Sequence, residues 1–231
     1  MIVNLDPDLA EIVLLSLRIS LLAMLLASLL GLPLGACLAV ARFPGRRALL
    51  VVLNALMGLP PVVVGLFVYL MLSRAGPLGV LGLLYTPAAM VIAQTLLIAP
   101  IIAALSRQTT EDMLVEYDEQ LRSLGADRRA VTLTLLWDGR FSLLTALLAG
   151  FGRASAEVGA VMIVGGNIDH VTRVMTTAIA LEVSKGDLAL ALGLGMILIA
   201  LTLLINAAAY VINDLARQGA ARPARRGPRR A

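Results

Sequence analysis

Arg153 and Glu157 place opposite charges in an apolar stretch of the sequence, "GFGRASAEVGAVMIVGGN", which runs from Gly150 to Asn167. Residues four apart lie on one face of a helix, so a guanidinium and a carboxylate at this spacing can form an ion pair. A charge exposed to lipid at mid-membrane depth costs roughly 2.5 to 3.5 kcal/mol. The spacing therefore predicts a helix whose charged face meets protein or water rather than lipid.

Two roles for this pair follow from its chemistry. In the first, the pair is locked between helices and fixes the position of its span. In the second, Arg153 adds positive potential to an anion path, and Glu157 keeps that path from holding the anion too tightly, because conduction requires weak binding along the route. Small residues let helices approach closely in membranes, and small residues surround the pair: Ser155, Ala156, Gly159 and Ala160.

Prolines interrupt two further apolar stretches. Pro60 and Pro61 follow Gly58 in "MGLPPVVVG", and Pro100 lies inside a later stretch. Proline has no N–H, so it frees a carbonyl of the helical ladder, and neighbouring groups or water must satisfy that carbonyl. Each of these sites is predicted to be a kink or gate, or else a static kink that only shapes the packing.

The sequence has few residues that could form a disulfide, bind a metal or bind a phosphate. Cys37 is the only cysteine and His170 the only histidine, so no disulfide framework and no zinc or haem site is expected. The sequence contains no G-x-x-x-x-G-K-[ST] phosphate loop, which predicts that ATP is bound elsewhere. We therefore expect no catalytic residue, metal or cofactor in this chain.

Composition points to a membrane protein. Of the 231 residues, 59% are hydrophobic and 15% are charged, and a membrane-crossing helix needs roughly 20 mostly apolar residues. The predicted fold is an all-α polytopic bundle of about five transmembrane helices. The expected spans are 12–41, 48–72, 83–105, 141–164 and 188–212.

Basic residues predict the orientation of these spans. Fourteen arginines fall in the loop 42–47, the segment 106–140 and the tail 213–231, against three basic residues on the other side. The positive-inside rule then puts the N-terminus outside and the C-terminus in the cytoplasm. The tail is expected to be disordered and to attract anionic headgroups, and nucleic-acid binding is not expected.

The segment 106–140 is too polar to cross a bilayer. Leu114, Tyr117, Leu121 and Leu124 recur three or four residues apart, which predicts a helix lying beneath the membrane. Gly125 is typical of a left-handed helix cap, and a second helix is predicted to begin near Asp127. The product is a helix-turn-helix, with a solvated loop without a partner as the alternative.

Part of this segment resembles a known family. Glu119, Gln120, Leu121 and Gly125, with Ala126 in "LRSLGA", are similar to the EAA loop of the membrane subunits of ABC importers. The resemblance implies a coupling helix that docks on a cytoplasmic ATPase, with Glu119 orienting the loop and Gly125 allowing a sharp turn. The residues "LLWD" at 135–138 depart from the family's pattern, so the next helix is expected to begin differently.

The stretch around Arg153 and Glu157 resembles the corresponding segment of molybdate-type and tungstate-type permeases. The match extends to Gly159 and to Gly165, Gly166 and Asn167, which are expected to end the span outside. The continuation, "TRVMTTAIALEVSKGD", is closest to the tungstate-specific branch. A short amphipathic helix is predicted on the outer face by the spacing of Val171, Val174, Met175, Ala178 and Ile179.

This resemblance implies a type I ABC permease domain over 11–212, with an extracytoplasmic N-terminus 1–10 and a basic cytoplasmic tail 213–231. It also implies a homodimer in the inner membrane, two ATPase subunits that hold ATP and Mg²⁺, and an extracytoplasmic binding protein that delivers the anion. Tungstate is the expected substrate, with molybdate, sulfate or phosphate as alternatives. An ATP-independent channel or secondary transporter, and a structural or sensory membrane protein, remain open as other classes.

Overall fold

The computed structural model describes residues 7–221 and shows an all-helical architecture over that range. Its nine α-helices are α1 Pro7–Val40, α2 Arg46–Met57, α3 Pro61–Leu72, α4 Pro87–Ser123, α5 Arg128–Asp138, α6 Arg140–Ser155, α7 Gly159–Gly165, α8 Met175–Lys185 and α9 Leu188–Ala221. One 3₁₀ turn, Gly79–Leu81, lies between α3 and α4. The predicted all-α class is confirmed, and residues 1–6 and 222–231, including most of the predicted basic tail, lie outside the described range.

Three helices, α1, α4 and α9, are long and apolar enough to cross a membrane. Two bent pairs bring the number of candidate spans to as many as five: α2 with α3, at 98°, and α5 with α6, at 73°. The described residues therefore offer three to five candidate spans, and the second bent pair covers a different range from the predicted fourth span, 141–164.

The second predicted span, 48–72, is divided at the prolines where a kink or gate was expected. Helix α2 ends at Met57, Pro60 is the N-cap of α3, and Pro61 is its first residue. Pro61 has no N–H to donate to α2, but its fixed φ suits the first turn of a new helix. Pro100 behaves differently, because α4 continues through it without interruption.

The fourth predicted span, 141–164, is also divided. Helix α6 ends at Ser155 and α7 begins at Gly159. The break has a local cause: the carboxylate of Glu157 accepts a hydrogen bond from the N–H of Ala160 at 3.0 Å. In a continuous helix that N–H would donate to the carbonyl of Ala156, so the side chain replaces a bond of the helical ladder.

Helix α4 joins the third span to the polar segment that follows it. It has 37 residues, or roughly 55 Å at 1.5 Å per residue, so it extends well beyond a hydrocarbon core of about 30 Å. Residues 106–123 are helical as predicted, but they continue α4, because no helix breaker stands between Pro100 and Gly125. Residues 213–221 likewise continue helix α9.

Helix α4 is the centre of the bundle and packs along α1. Small side chains bring the two backbones together: Ala23, Ala27, Ala89 and Ala93 are fully buried. A Cβ added at Gly35 would lie 2.2 Å from the carbonyl oxygen of Ala103, so the backbones are in contact there. Such close approach is how membrane helices gain packing energy when lipid competes for their apolar faces.

The helix predicted on the outer face begins later than expected. Val171 and Val174 precede α8, and the first turn of α8, from Met175 to Ala178, is buried. This turn packs into the protein rather than lying on a surface. We call the end of the bundle that holds residues 41–45 and 124–127 the basic end, and the end that holds residues 73–86 and 166–174 the opposite end.

Candidate functional site

The two broken spans cross where each of them breaks. A Cβ added at Gly65 of α3 would lie 2.7 Å from the Cα of Ala160 in α7, and one added at Gly159 would lie 2.9 Å from Cγ2 of Val62. Only glycine allows helices to approach so closely. Gly159, predicted from the sequence as a pathway residue, is thus the point where the start of α7 meets the start of α3.

Glu157 lies at the centre of this crossing and is only 4% exposed. Its Oε2 lies 3.3 Å from Nη1 of Arg153, and its Oε1 accepts the N–H of Ala160. Its backbone carbonyl accepts the hydroxyl of Thr176, in α8, at 2.8 Å. One residue therefore joins the end of α6, the start of α7 and the start of α8.

Arg153 differs from its partner in exposure. Its side chain is 37% exposed in the isolated chain, so part of the guanidinium remains open beyond the contact with Glu157. A partly exposed arginine in a membrane span must meet water or another protein surface. The predicted pair is present, with its carboxylate buried and its guanidinium half-exposed.

Gln94, which lies on α4, stabilises the break between α6 and α7. The sequence did not predict this role of Gln94. Its Nε2 donates to the carbonyl of Ala154 at 3.1 Å, two residues before α6 gives way to the break, and the residue is 4% exposed. A polar side chain in the middle of an apolar span was the available signal. Gln94 also lines a cavity of about 20 Å³ together with four hydroxyl residues of α1, α6 and α8: Ser16, Ser20, Ser155 and Thr176.

The opposite end of α7 is closed by the predicted glycine turn. Gly166 caps α7 with φ 71°, and Asn167 follows with φ 50°. A Cβ added at Gly165 would lie 2.9 Å from the sulfur of Met90, so α7 packs on α4. Thr172, which sequence reasoning missed, ties the turn together by donating to the carbonyl of Gly165 at 2.6 Å.

An ion pair links this turn to the start of α1. Nδ1 of His170 lies 2.9 Å from Oε2 of Glu11. The hydrogen bond that the Glu11 carboxylate accepts from the imidazole and the negative charge of Asp169 raise the pKa of His170 above its usual value. The contact joins two segments 159 residues apart in sequence.

The helix-turn-helix predicted between Ser106 and Arg140 forms at the basic end. Gly125 adopts φ 68° in the turn, and Ala126 donates its N–H to the carbonyl of Leu121 at 3.1 Å. Asp127 caps α5 by accepting the N–H of Ala130 at 2.7 Å. The elbow, as we call residues 119–130, thus has the sharp turn that the sequence predicted at Gly125.

The elbow presents a mixed surface. Glu119 and Gln120 are exposed. Leu124, which the sequence predicted on the apolar face of the helix, lies in the turn and is 82% exposed. Helix α5 is anchored behind this surface by Val131 and Leu135, which are buried. The surface of the elbow thus combines one exposed apolar side chain with acidic and amide groups.

The far end of α5 turns sharply into α6 at Gly139. A Cβ added there would lie 2.9 Å from the sulfur of Met113, so this turn packs directly on α4. The guanidinium of Arg140 lies 4.8 Å from the ring centre of Trp137 and 4.5 Å from that of Phe141. The residues "LLWD" therefore form the end of α5 rather than the start of the next span.

Among residues 7–221, no group of three or more His, Cys, Asp or Glu side chains is arranged to hold a metal ion. The broken helices meet beside the Arg153–Glu157 ion pair, and the elbow lies at the end of the central helix α4.

The chain matches the family described as binding-protein-dependent transport system inner membrane component over residues 31–219. It is 39% identical over 214 residues to a tungstate uptake system permease protein of Peptoclostridium acidaminophilum, covering 93% of this chain and 94% of that protein. It is 40% identical over 204 residues to a probable anion ABC transporter permease protein of Haloferax volcanii, covering 86% and 88%. A molybdenum transport system permease protein of Escherichia coli is 31% identical over 187 residues, covering 75% and 79%.

Proposed function

The chain belongs to the family of inner membrane components of binding-protein-dependent transport systems, and we propose that it is the permease subunit of an ATP-dependent importer of tungstate. Tungstate is proposed as the substrate because the chain is 39% identical to a tungstate uptake permease along nearly the whole of both chains. The molybdenum permease is more distant, at 31%. The chain itself carries out transport rather than catalysis.

The elbow is the docking element for a separate ATPase subunit that binds ATP and Mg²⁺. Exposed Glu119, Gln120 and Leu124 surround the Gly125 turn, and the polar helix end that carries them extends beyond the apolar part of α4. This role requires the basic end to face the cytoplasm, in agreement with the positive-inside rule. The binding protein then approaches the opposite end.

Two copies of the chain enclose the anion path. The half-exposed guanidinium of Arg153 supports this arrangement, because a second copy or the water between copies would supply the polar surroundings that lipid cannot. The buried carboxylate of Glu157 beside it lowers the net positive charge and so favours release of the anion.

ATP binding on the partner favours one of two arrangements of the bundle. A shift of the elbow moves α4, and α4 holds the end of α6 through the hydrogen bond from Gln94 to Ala154. The breaks between α2 and α3 and between α6 and α7 are the points where such a shift changes helix directions without deforming packed segments.

Reconstitution in proteoliposomes tests this proposal. The chain would be co-expressed with the ATPase and binding protein of its transport system, and accumulation of tungsten, molybdenum and sulfur would be measured by elemental mass spectrometry with and without ATP. We expect accumulation of tungstate that requires ATP and all three proteins. Equal flux without ATP would identify a channel, and accumulation of molybdate in preference to tungstate would reassign the substrate.

A further inference from the structure

Three charged side chains form a cluster at the basic end, away from the pair at Arg153. Arg46 is the first residue of α2, and Arg107 and Glu111 lie one turn apart on α4. Nη2 of Arg46 lies 2.5 Å from Oε1 of Glu111, and Nη1 of Arg107 lies 2.5 Å from Oε2. Each oxygen of one carboxylate is thus bound by a different arginine.

Arg46 also caps the end of α1. Its Nε donates to the carbonyl of Leu38 at 2.9 Å, and its Nη2 approaches the carbonyl of Ala39 at 3.5 Å. Helix α1 has no basic residue in its own last turn, and the last carbonyls of a helix attract positive charge. One guanidinium therefore holds the end of α1, the start of α2 and the middle of α4.

The cluster is partly shielded from solvent. The side chains of Arg46, Arg107 and Glu111 are 28%, 18% and 32% exposed. Charge-assisted hydrogen bonds in such surroundings are stronger than those of fully exposed surface pairs. Without the Glu111 carboxylate, the two guanidinium groups would remain close together with no charge between them.

The position of the cluster connects the two parts of the proposed mechanism. Glu111 lies on α4 eight residues before Glu119, where the elbow begins. Arg46 opens α2, whose other end is the break that leads to α3. Among the side chains that the structure describes, the Arg46–Glu111 contact is the polar link between α2 and α4.

We propose that Arg46 and Glu111 are positioning residues that carry movement of the elbow on α4 to the broken α2–α3 span. This inference rests on the proposed transport function. Loss of the link would let α4 move while α2 stays behind, so ATP would still be hydrolysed but fewer anions would cross for each ATP.

The test measures the ratio of tungstate accumulated to ATP hydrolysed in proteoliposomes that hold the complete complex. The variants are Arg46→Gln, Glu111→Gln and the double variant. We expect each single variant to assemble, to hydrolyse ATP and to lower this ratio at least about fivefold, the effect of roughly 1 kcal/mol. The double variant should give the same ratio as either single variant, because residues that act as one pair are non-additive.

Neighbouring charges provide matched controls. Arg47→Gln and Asp112→Asn remove one charge each from residues that adjoin the cluster, are exposed and make no ion pair within the described range. Both should keep the wild-type ratio, since neither joins α2 to α4. An equal loss in these controls would show a general charge effect and would overturn the inference.

Arg46→Lys serves if a glutamine variant does not assemble. Lysine keeps the positive charge but lacks the planar guanidinium, which binds a carboxylate and two carbonyls at the same time. Arg46→Lys should therefore also lower the ratio of tungstate accumulated to ATP hydrolysed. Wild-type ratios in Arg46→Lys or in the glutamine variants, or multiplied effects in the double variant, would overturn the inference. Absence of ATP-driven uptake in the wild-type complex would instead refute the transport function itself.

Discussion

The guanidinium of Arg153 reaches the carboxylate of Glu157 at 3.3 Å across the break between α6 and α7. Arg153 belongs to the last turn of α6, and Glu157 holds the first turn of α7 through the N–H of Ala160. The ion pair therefore links the end of α6 to the start of α7 across the residues that separate them.

Arg153→Gln and Glu157→Gln test the role of the pair in the anion path. Glutamine at 157 retains an acceptor for the N–H of Ala160, so α7 should still start there. We expect ATP-driven tungstate uptake to fall about fivefold to tenfold in either variant, equivalent to roughly 1 to 1.4 kcal/mol. Uptake is to be measured at matched membrane levels, with Arg74→Gln, on the exposed loop after α3, as the control. Normal uptake in both variants would restrict the pair to a structural role.

Gly125→Val tests the elbow. Gly125 has φ 68°, and an added Cβ would meet no atom within 4 Å, so the cost is conformational, about 1 to 2 kcal/mol for a residue with a side chain. We expect less ATPase subunit to co-purify with this variant, or hydrolysis without uptake. Gly186 provides a matched control, since it also has positive φ and open space but lies between α8 and α9 at the opposite end. If Gly125→Val retains full association and uptake, the elbow is not the docking element.

Gly65→Ala tests the crossing of the broken spans. The added methyl group would lie 2.7 Å from the Cα of Ala160, and backbone must move to accept it. We expect a loss of about 1 to 3 kcal/mol in stability, typical of overpacking, measured as thermal unfolding in detergent. Gly193→Ala in α9 has nothing within 4 Å and should be neutral or slightly stabilising. Equal unfolding temperatures for Gly65→Ala and the wild type would contradict the close contact of α3 and α7.

The contact between His170 and Glu11 predicts a pH dependence at the opposite end. Because Glu11 raises the pKa of His170, protonation favours the folded state. The contribution of the ion pair should be fully present below the ordinary histidine pKa of about 6.5 and should disappear as pH rises through the raised pKa. The difference in unfolding temperature between the wild type and Glu11→Gln should therefore shrink with rising pH. A difference that stays constant, or grows, between mildly acidic and alkaline pH would contradict this linkage.

Local patterns predicted much of this fold. Apolar runs of sufficient length identified the all-α class, and Gly125 identified the turn of the elbow. Both predictions depend on local properties of the chain. Apolar side chains of a span are buried in lipid, and glycine adopts the left-handed conformation without strain. The sequence did not predict the break at Glu157 or the continuity of α4 through residues 106–123, since helix boundaries depend on hydrogen bonds and helix propagation that composition does not show.

The sequence by itself determined that the chain crosses a membrane, that Arg153 and Glu157 lie close together, and that a turn follows Glu119. Tertiary structure alone decided that Glu157 is buried at a helix break, that Gln94 holds the end of α6, and that Arg46 meets Glu111 from another helix. The contacts of Gln94 and Arg46 join residues 60 or more positions apart. Periodicity reports which face of a helix is apolar, whereas the partner of a buried polar group depends on how the helices pack against one another.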